Sequence, residues 1–323
     1  MAVSRAQIEA LIAKLEPQLR KAFEDALKTW GDSIDYAAIA EALSRNDVEA
    51  AVRAANIQPA ALNGFLTIRE AAFEAGGAAE ATGLRLNIVF NARHLRGEEV
   101  LKRQAAWLVQ GLTDDTKAMM RTVLTDGLTR GQGAITTARQ LKGYIGLTDN
   151  QAGYMLNLRR KLETDPKALL AEFEAGGYKL RDSRLDAIVR RAVKTETPIA
   201  AKDIETITNA YKNRSITWRS KNIARTETLS AVNSGRQEAF QQAIDSGKVQ
   251  AKDVRRVWHA AKDKRTRDTH RGLDGQTVGM NEDFISLSGA RLRFPGDPLA
   301  PLSETVACRC SFSMRVDYFS NLR

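Results

Sequence analysis

Apolar residues return every three or four positions from Ser4 to about Gly247, on a background rich in Ala, Leu, Glu, Lys and Arg. That is the signature of amphipathic helices, and it predicts a body that is almost wholly helical. The first helix starts on a capping box, Ser4 with Gln7 three residues later, and carries Ile8, Leu11, Ile12 and Leu15 on one face. Pro17 lacks an amide donor and predicts a kink or break before Trp30, with Gly31-Asp32-Ser33 ending the segment. Further helices are predicted over 36–55, 59–75, 98–111 and 114–129, with Gly76-Gly77 read as one joint and Gly131-Gln132-Gly133 as another. A second capping box, Thr148 with Gln151, has Leu147 beside it as a hydrophobic staple, and its helix runs to about Leu162. Pro198 opens a long helical stretch to Ile244, interrupted at most near 213–217.

After Gly247 the texture changes. The segments 255–261 and 309–316 alternate with a period near two, glycines gather at Gly272, Gly275, Gly279, Gly289 and Gly296, and Pro295, Pro298 and Pro301 follow. The expected fold is mainly α, an extended helical body with a small α+β C-terminal domain. The expected division is 1–112 as an N-terminal helical region, 113–247 as a helical body with the long helix, and 248–323 as the α+β domain.

Composition narrows the functional classes. Lys and Arg number 49 against 39 Asp and Glu, a formal charge of +10, which raises the local concentration of polyanions around the protein. No apolar run approaches the roughly 20 residues that span a bilayer, and the first residues lack a secretory core, so no membrane partner is expected. The chain's two cysteines, Cys308 and Cys310, are too close to bridge each other, which excludes a disulfide framework. Walker-type, dinucleotide and His-Glu-x-x-His motifs are absent from the sequence.

The densest polar cluster runs from Val257 to His270, followed by Leu273-Asp274-Gly275 and by Cys308-Arg309-Cys310. On a strand, Cys308, Cys310, Phe312, Met314 and Val316 share one face, so both sulfurs point to the core. Two thiolates with one or both of His259 and His270 suit a structural zinc site that staples a small domain. The competing reading is a pair of inert core thiols. A catalytic reading sets His270 as a general base beside Asp263, with Arg265 or Arg267 holding a phosphate. Arg255, Arg256, Lys262, Lys264, Arg265, Arg267 and Arg271 form the strongest basic concentration, a candidate nucleic-acid surface. Trp258 among them either stacks on bases or fills the core. His94, in a polar joint between helices, is read as structural.

Several of these residues also carry a likeness. Ala224-Arg225-Thr226-Glu227 and Asn233-Ser234-Gly235-Arg236, then Trp258, Asp263, Arg265, Arg267, His270, Leu273-Asp274-Gly275, Phe284, Pro295-Gly296-Asp297 and Cys308-Arg309-Cys310, stand in an order and spacing that resembles the phage Mu F-like minor head proteins, the head morphogenesis family of tailed phages. The likeness covers about 220–316, weakens over 115–220 and is lost before about 100. It implies a low-copy virion component in the head interior or at the portal vertex, assembled in the host cytoplasm. The implied partners are portal or major capsid subunits and phage DNA, during assembly, packaging or ejection. It also implies that Asp263, His270, Cys308 and Cys310 share one site, whereas His259 maps to no family position. Some relatives carry toxin domains after this module; here Arg323 closely follows the Cys-Arg-Cys segment, so a structural protein without turnover is expected. The alternative is a metal-dependent nuclease or hydrolase centred on Asp263, His270, Cys308 and Cys310.

Overall fold

A computed structural model of the chain describes residues 3–84 and 87–317. Its architecture is mainly helical, with a small sheet region near the C-terminal end. The helices are α1 (Arg5–Ser33), α2 (Tyr36–Ser44), α3 (Val48–Ala54), α4 (Asn63–Leu84), α5 (Leu95–Thr129), α6 (Ala134–Leu141), α7 (Asp149–Thr164), α8 (Pro166–Glu174), α9 (Asp186–Thr195) and α10 (Ala201–Asp245). Two short helices, α11 (Asp268–Arg271) and α12 (Leu302–Thr305), lie among the strands β1 (Val254–His259), β2 (Thr277–Gly279), β3 (Phe284–Ile285), β4 (Arg291–Leu292) and β5 (Ser311–Val316).

Both capping boxes form. Gln7 N donates to Ser4 Oγ at 3.2 Å while Ser4 N donates to Gln7 Oε1 at 2.9 Å, and Thr148 and Gln151 reciprocate in the same way at the start of α7. Helix boundaries elsewhere depart from the pattern for local reasons. Pro17 does not break α1, whose buried face of Ile8, Ile12, Leu15, Leu19 and Phe23 runs on both sides of it. The segment 36–55 splits because Asn46 takes a left-handed conformation (φ 56°) and Asp47 caps α3 by accepting from Ala50 N. The stretches 98–111 and 114–129 fuse into α5, where Thr113 and Thr116 return their hydroxyls to the carbonyls of Val109 and Leu112. No break interrupts α10 at 213–217.

The chain divides into two compact units, each assembled from separate stretches of sequence. One comprises Met1–Glu24, Leu62–Trp107 and Lys221–Arg323; the other comprises Asp25–Ala61 and Leu108–Ser220. In the second, short capped helices enclose Met119, Leu124, Leu141, Leu147, Leu158 and Leu169, all fully buried. Tyr178 there meets Tyr154, Phe173 and Tyr211 edge-on.

In the first unit, β1 is the middle strand of an antiparallel sheet ordered β2-β1-β5, with Trp258 opposite Phe312 and His259 opposite Ser311. The hairpin β3-β4 stands apart from it. Trp258, Leu273, Phe284, Leu292, Cys308 and Cys310 join Leu229, Ala231 and Val232 of α10 and Phe73 of α4 in one core. Helices α4 and α10 approach closely: a Cβ on Gly76 would lie 2.2 Å from Val232 O, and one on Gly235 would lie 1.9 Å from Phe73 O. Gly76-Gly77 is therefore a packing surface inside α4 and not a joint, and Asn233-Ser234-Gly235-Arg236 is the face that receives it.

Candidate metal centre and basic rim

The strands deliver the sulfurs. Alternation along the β5 segment turns Cys308, Cys310, Phe312 and Met314 inward, and all four are buried. The segment leading into it is anchored to α10 by two hydrogen bonds: Arg225 Nε donates to Cys308 O at 3.1 Å, and Ala307 N donates to Thr226 Oγ1 at 2.9 Å. Ala307 itself is held in the left-handed region (φ 53°), which turns the chain so that Cys308 enters the core.

The helix α11 delivers the third group. His270 is 1% exposed, packs edge-on against Trp258 at 5.3 Å between ring centroids, and places Nδ1 3.6 Å from Cys308 Sγ and 3.5 Å from Cys310 Sγ. Its other ring nitrogen, Nε2, lies 2.9 Å from Glu304 Oε2, within ion-pair range though off the line of a straight hydrogen bond. Glu304, 3% exposed, is held by Thr269 Oγ1 at 2.9 Å and Ser288 Oγ at 2.6 Å. Burial opposes its charge, but the hydrogen bonds from Ser288 and Thr269 and the His270 ring keep the carboxyl below the usual range. The hydrogen bond from the Cys308 thiol, then the His270 ring, holds Cys310 down at about 4, while the same thiol–thiol contact and burial push Cys308 up.

His270, Cys308 and Cys310 offer ligand atoms that all lie within 4.8 Å of one another, and the three residues can together hold a metal ion. The separations fit zinc. With Zn–N of about 2.0–2.1 Å and Zn–S of about 2.3 Å, a tetrahedral centre requires N···S edges of about 3.6 Å. The other two candidate ligands lie elsewhere. Asp263 forms a bidentate ion pair with Arg309, and His259 Nε2 meets Ser313 Oγ at 2.9 Å on the half-buried face of the sheet. Desolvation opposes the Asp263 charge, but the hydrogen bonds and charge of Arg309, with the hydrogen bonds from Arg265 N and Thr266, together lower the carboxyl, whereas burial lowers His259.

The basic residues separate into two kinds. Lys262, Lys264, Arg265 and Arg271 are exposed, and Arg255 and Arg267 are half-buried. Arg256 is 1% exposed: its guanidinium donates to the carbonyls of Gly279, Arg293 and Glu282, and burial lowers it to about 10. It is a core residue, inaccessible to a phosphate. Trp258 is likewise fully buried, between His270 and Phe284, so base stacking on it is excluded. His94 lies just before α5, with Nδ1 3.6 Å from Glu238 Oε1.

Sequence reasoning found the histidine and the thiols but missed Glu304, Arg225 and Thr226 as their supports. The last two stand in the Ala224-Arg225-Thr226-Glu227 motif, whose Glu227 also pairs with Arg69 at 2.9 Å. The rest of the motif set is equally structural. Asn233 Nδ2 donates to Pro295 O at 2.8 Å, and Asp297 accepts from Arg293 and from Leu299 N to close the Pro295-Gly296-Asp297 turn. Asp274 Oδ1 accepts from Ala260 N at 2.9 Å.

In this arrangement Arg225 and Thr226 of a long helix hold a compact Cys-His module, and the same segment carries the likeness to known proteins. Residues 199–313 match the family model described as Phage Mu protein F like protein. The chain is 34% identical over 94 residues to minor head protein GP7 of Bacillus phage SPP1, which covers 29% of each. It is 33% identical over 102 residues to the NAD(+)–arginine ADP-ribosyltransferase EFV of Enterococcus faecalis, covering 30% of this chain and 19% of that protein. The chain thus spans less than a third of either relative. No solved structure matches it.

Proposed function

We propose that this protein is a minor component of a tailed-phage head that binds portal or major capsid subunits and phage DNA during assembly, packaging or ejection. The carrying observation is the family match over 199–313, joined by the likeness to minor head protein GP7. It is incorporated in several copies from the host cytoplasm and resides in the head interior or at the portal vertex. No helix among the described residues is long and apolar enough to cross a membrane.

DNA would meet the exposed basic rim. Lys262, Lys264 and Arg271 line an open depression of about 480 Å³, which also holds Asp263 and Asp274, and Arg265 stands beside it. Lys262 is paired with Asp274 at 3.0 Å and Arg271 with Asp268 at 2.8 Å, so phosphates must compete with these carboxylates. Such binding is weak and salt-sensitive, as suits a protein that holds DNA without reading it. Within the module, zinc on His270, Cys308 and Cys310 acts as a structural staple.

Turnover at this centre is disfavoured by space. The cleft over His270, Cys308 and Cys310 has a volume of about 10 Å³, which is room for about one water and no substrate. Co-expression with the portal and major capsid proteins, followed by gradient sedimentation, should recover the chain with particles. Recovery only at the top of the gradient contradicts the head assignment. DNA affinity should fall steeply with salt, and replacing Lys262, Lys264, Arg265 and Arg271 by Ala should flatten the slope by about 0.9 for each phosphate no longer neutralised. A salt-independent affinity removes the DNA partner and leaves the capsid partner standing.

A further inference from the structure

One imidazole nitrogen has a single in-plane lone pair, yet both sulfurs stand 3.5–3.6 Å from His270 Nδ1. One thiol–imidazole hydrogen bond accounts for one sulfur. A shared central ion accounts for both. On the far side of the ring, the buried carboxylate of Glu304 sits 2.9 Å from Nε2 and is itself fixed by Thr269 and Ser288. A carboxylate in that place favours the tautomer that carries its proton on Nε2 and leaves Nδ1 bare toward the sulfurs, and a small turn of the ring brings Nε2–H into line with it. Among the described residues no fourth His, Cys, Asp or Glu joins the three. The open side is the small cleft rimmed by Arg265, Arg267 and Arg309.

We infer that Glu304 is the positioning residue of a three-ligand zinc centre, and that the fourth coordination position is filled from outside the chain, by water or a small anion entering between those arginines. This rests on the zinc reading above. Two thiolates and a neutral imidazole cancel the charge of Zn²⁺, so an anion arriving at the centre would be balanced by Arg265 and Arg267, Arg309 being already paired with Asp263.

The test uses the full chain, loaded with zinc or with cobalt(II) as a coloured substitute. Zinc affinity is measured by competition with a chromophoric chelator, and folding by far-ultraviolet circular dichroism. Glu304→Gln should keep the helical signal and weaken zinc about 10–100-fold, the range for loss of an outer carboxylate. Fluoride or cyanide, the anions nearest in size to the single water for which the cleft has room, should shift the visible bands of the cobalt form, because an open position accepts them. If Glu304→Gln does not fold, Thr269→Val, which removes one hold on Glu304, should still weaken zinc several-fold. A wild-type chain that takes up no metal overturns the zinc reading and this inference with it. Tight zinc that is indifferent to both substitutions overturns the role of Glu304 alone, and cobalt bands indifferent to either anion overturn the open position.

Discussion

The two compact units solve the problem of an interior in different ways. The unit made of Asp25–Ala61 and Leu108–Ser220 buries apolar side chains and leaves most of its charge outside, with Asp186 and Arg219 as its buried ions. The other unit builds charge into its core: Arg69, Glu80, Arg236, Glu238, Arg256, His270, Asp297 and Glu304 are all buried. An apolar interior is tolerant, because a missing methyl group costs only its own burial and cavity. A charged interior is unforgiving, because each ion is compensated by one or a few named partners and is costly once they are gone. What the second design gains is specificity of arrangement, which a binding or metal-holding module needs.

Substitutions in the two interiors should therefore differ in cost. The largest effect should come from Arg236→Met. Arg236 Nε pairs with Glu80 Oε2 at 2.7 Å, both side chains are 1% exposed, and burial already pushes the Glu80 carboxyl up. Stranding Glu80 should cost about 3–5 kcal/mol, read as a lower midpoint in denaturant, and the double change with Glu80→Leu should restore much of it. Arg256→Met comes next. It leaves the carbonyls of Gly279, Glu282 and Arg293 without their donor and should cost about 3 kcal/mol in thermal unfolding. A loss under 1 kcal/mol in either would erase the distinction between the units.

In the other unit the effects should be smaller. Thr148→Ala removes the hydroxyl that receives Gln151 N at the start of α7 and should cost about 1 kcal/mol by the same measurement. The smallest effect concerns Asp182, where the hydrogen bond from Arg184, reinforced by Arg214, holds the carboxyl at about 2, below the ordinary 3.8. A folded value lower than the unfolded one contributes stability that is present above the ordinary value and lost as pH falls through the folded one. The difference in urea midpoint between the parent and Asp182→Asn should therefore shrink as pH is lowered from about 4 to about 2. A constant difference across that window would assign the effect to the helical turn that Asp182 caps.

The same contrast explains what the sequence made legible. Helices follow from a local period and local caps, so the boxes at Ser4 and Thr148 could be read directly. Boundaries failed where one side chain decides, as with left-handed Asn46, or where a hydroxyl bonds back into the ladder, as with Thr113 and Thr116. In the strand region, the residue types Trp258, His270, Cys308 and Cys310 stood out, but Glu304 did not. Its histidine partner stands far upstream on α11, and nothing near Pro301 marks a carboxylate as buried. Arg256 was legible in principle. The alternation that points Val254 and Trp258 inward points Arg256 inward too, and a basic residue in that register belongs to the core.

In the zinc reading a single ion organises the C-terminal module around His270, with Trp258 packed against the ring that would hold it. Metal analysis of the protein purified without added metal, coupled to near-ultraviolet circular dichroism, decides this, with Trp258→Phe identifying the part of the signal that Trp258 contributes beside the equally buried Trp30. One zinc per chain is expected, removable by a strong chelator only with loss of the part of the signal that Trp258→Phe lacks. A metal-free chain that keeps that signal unchanged would contradict it.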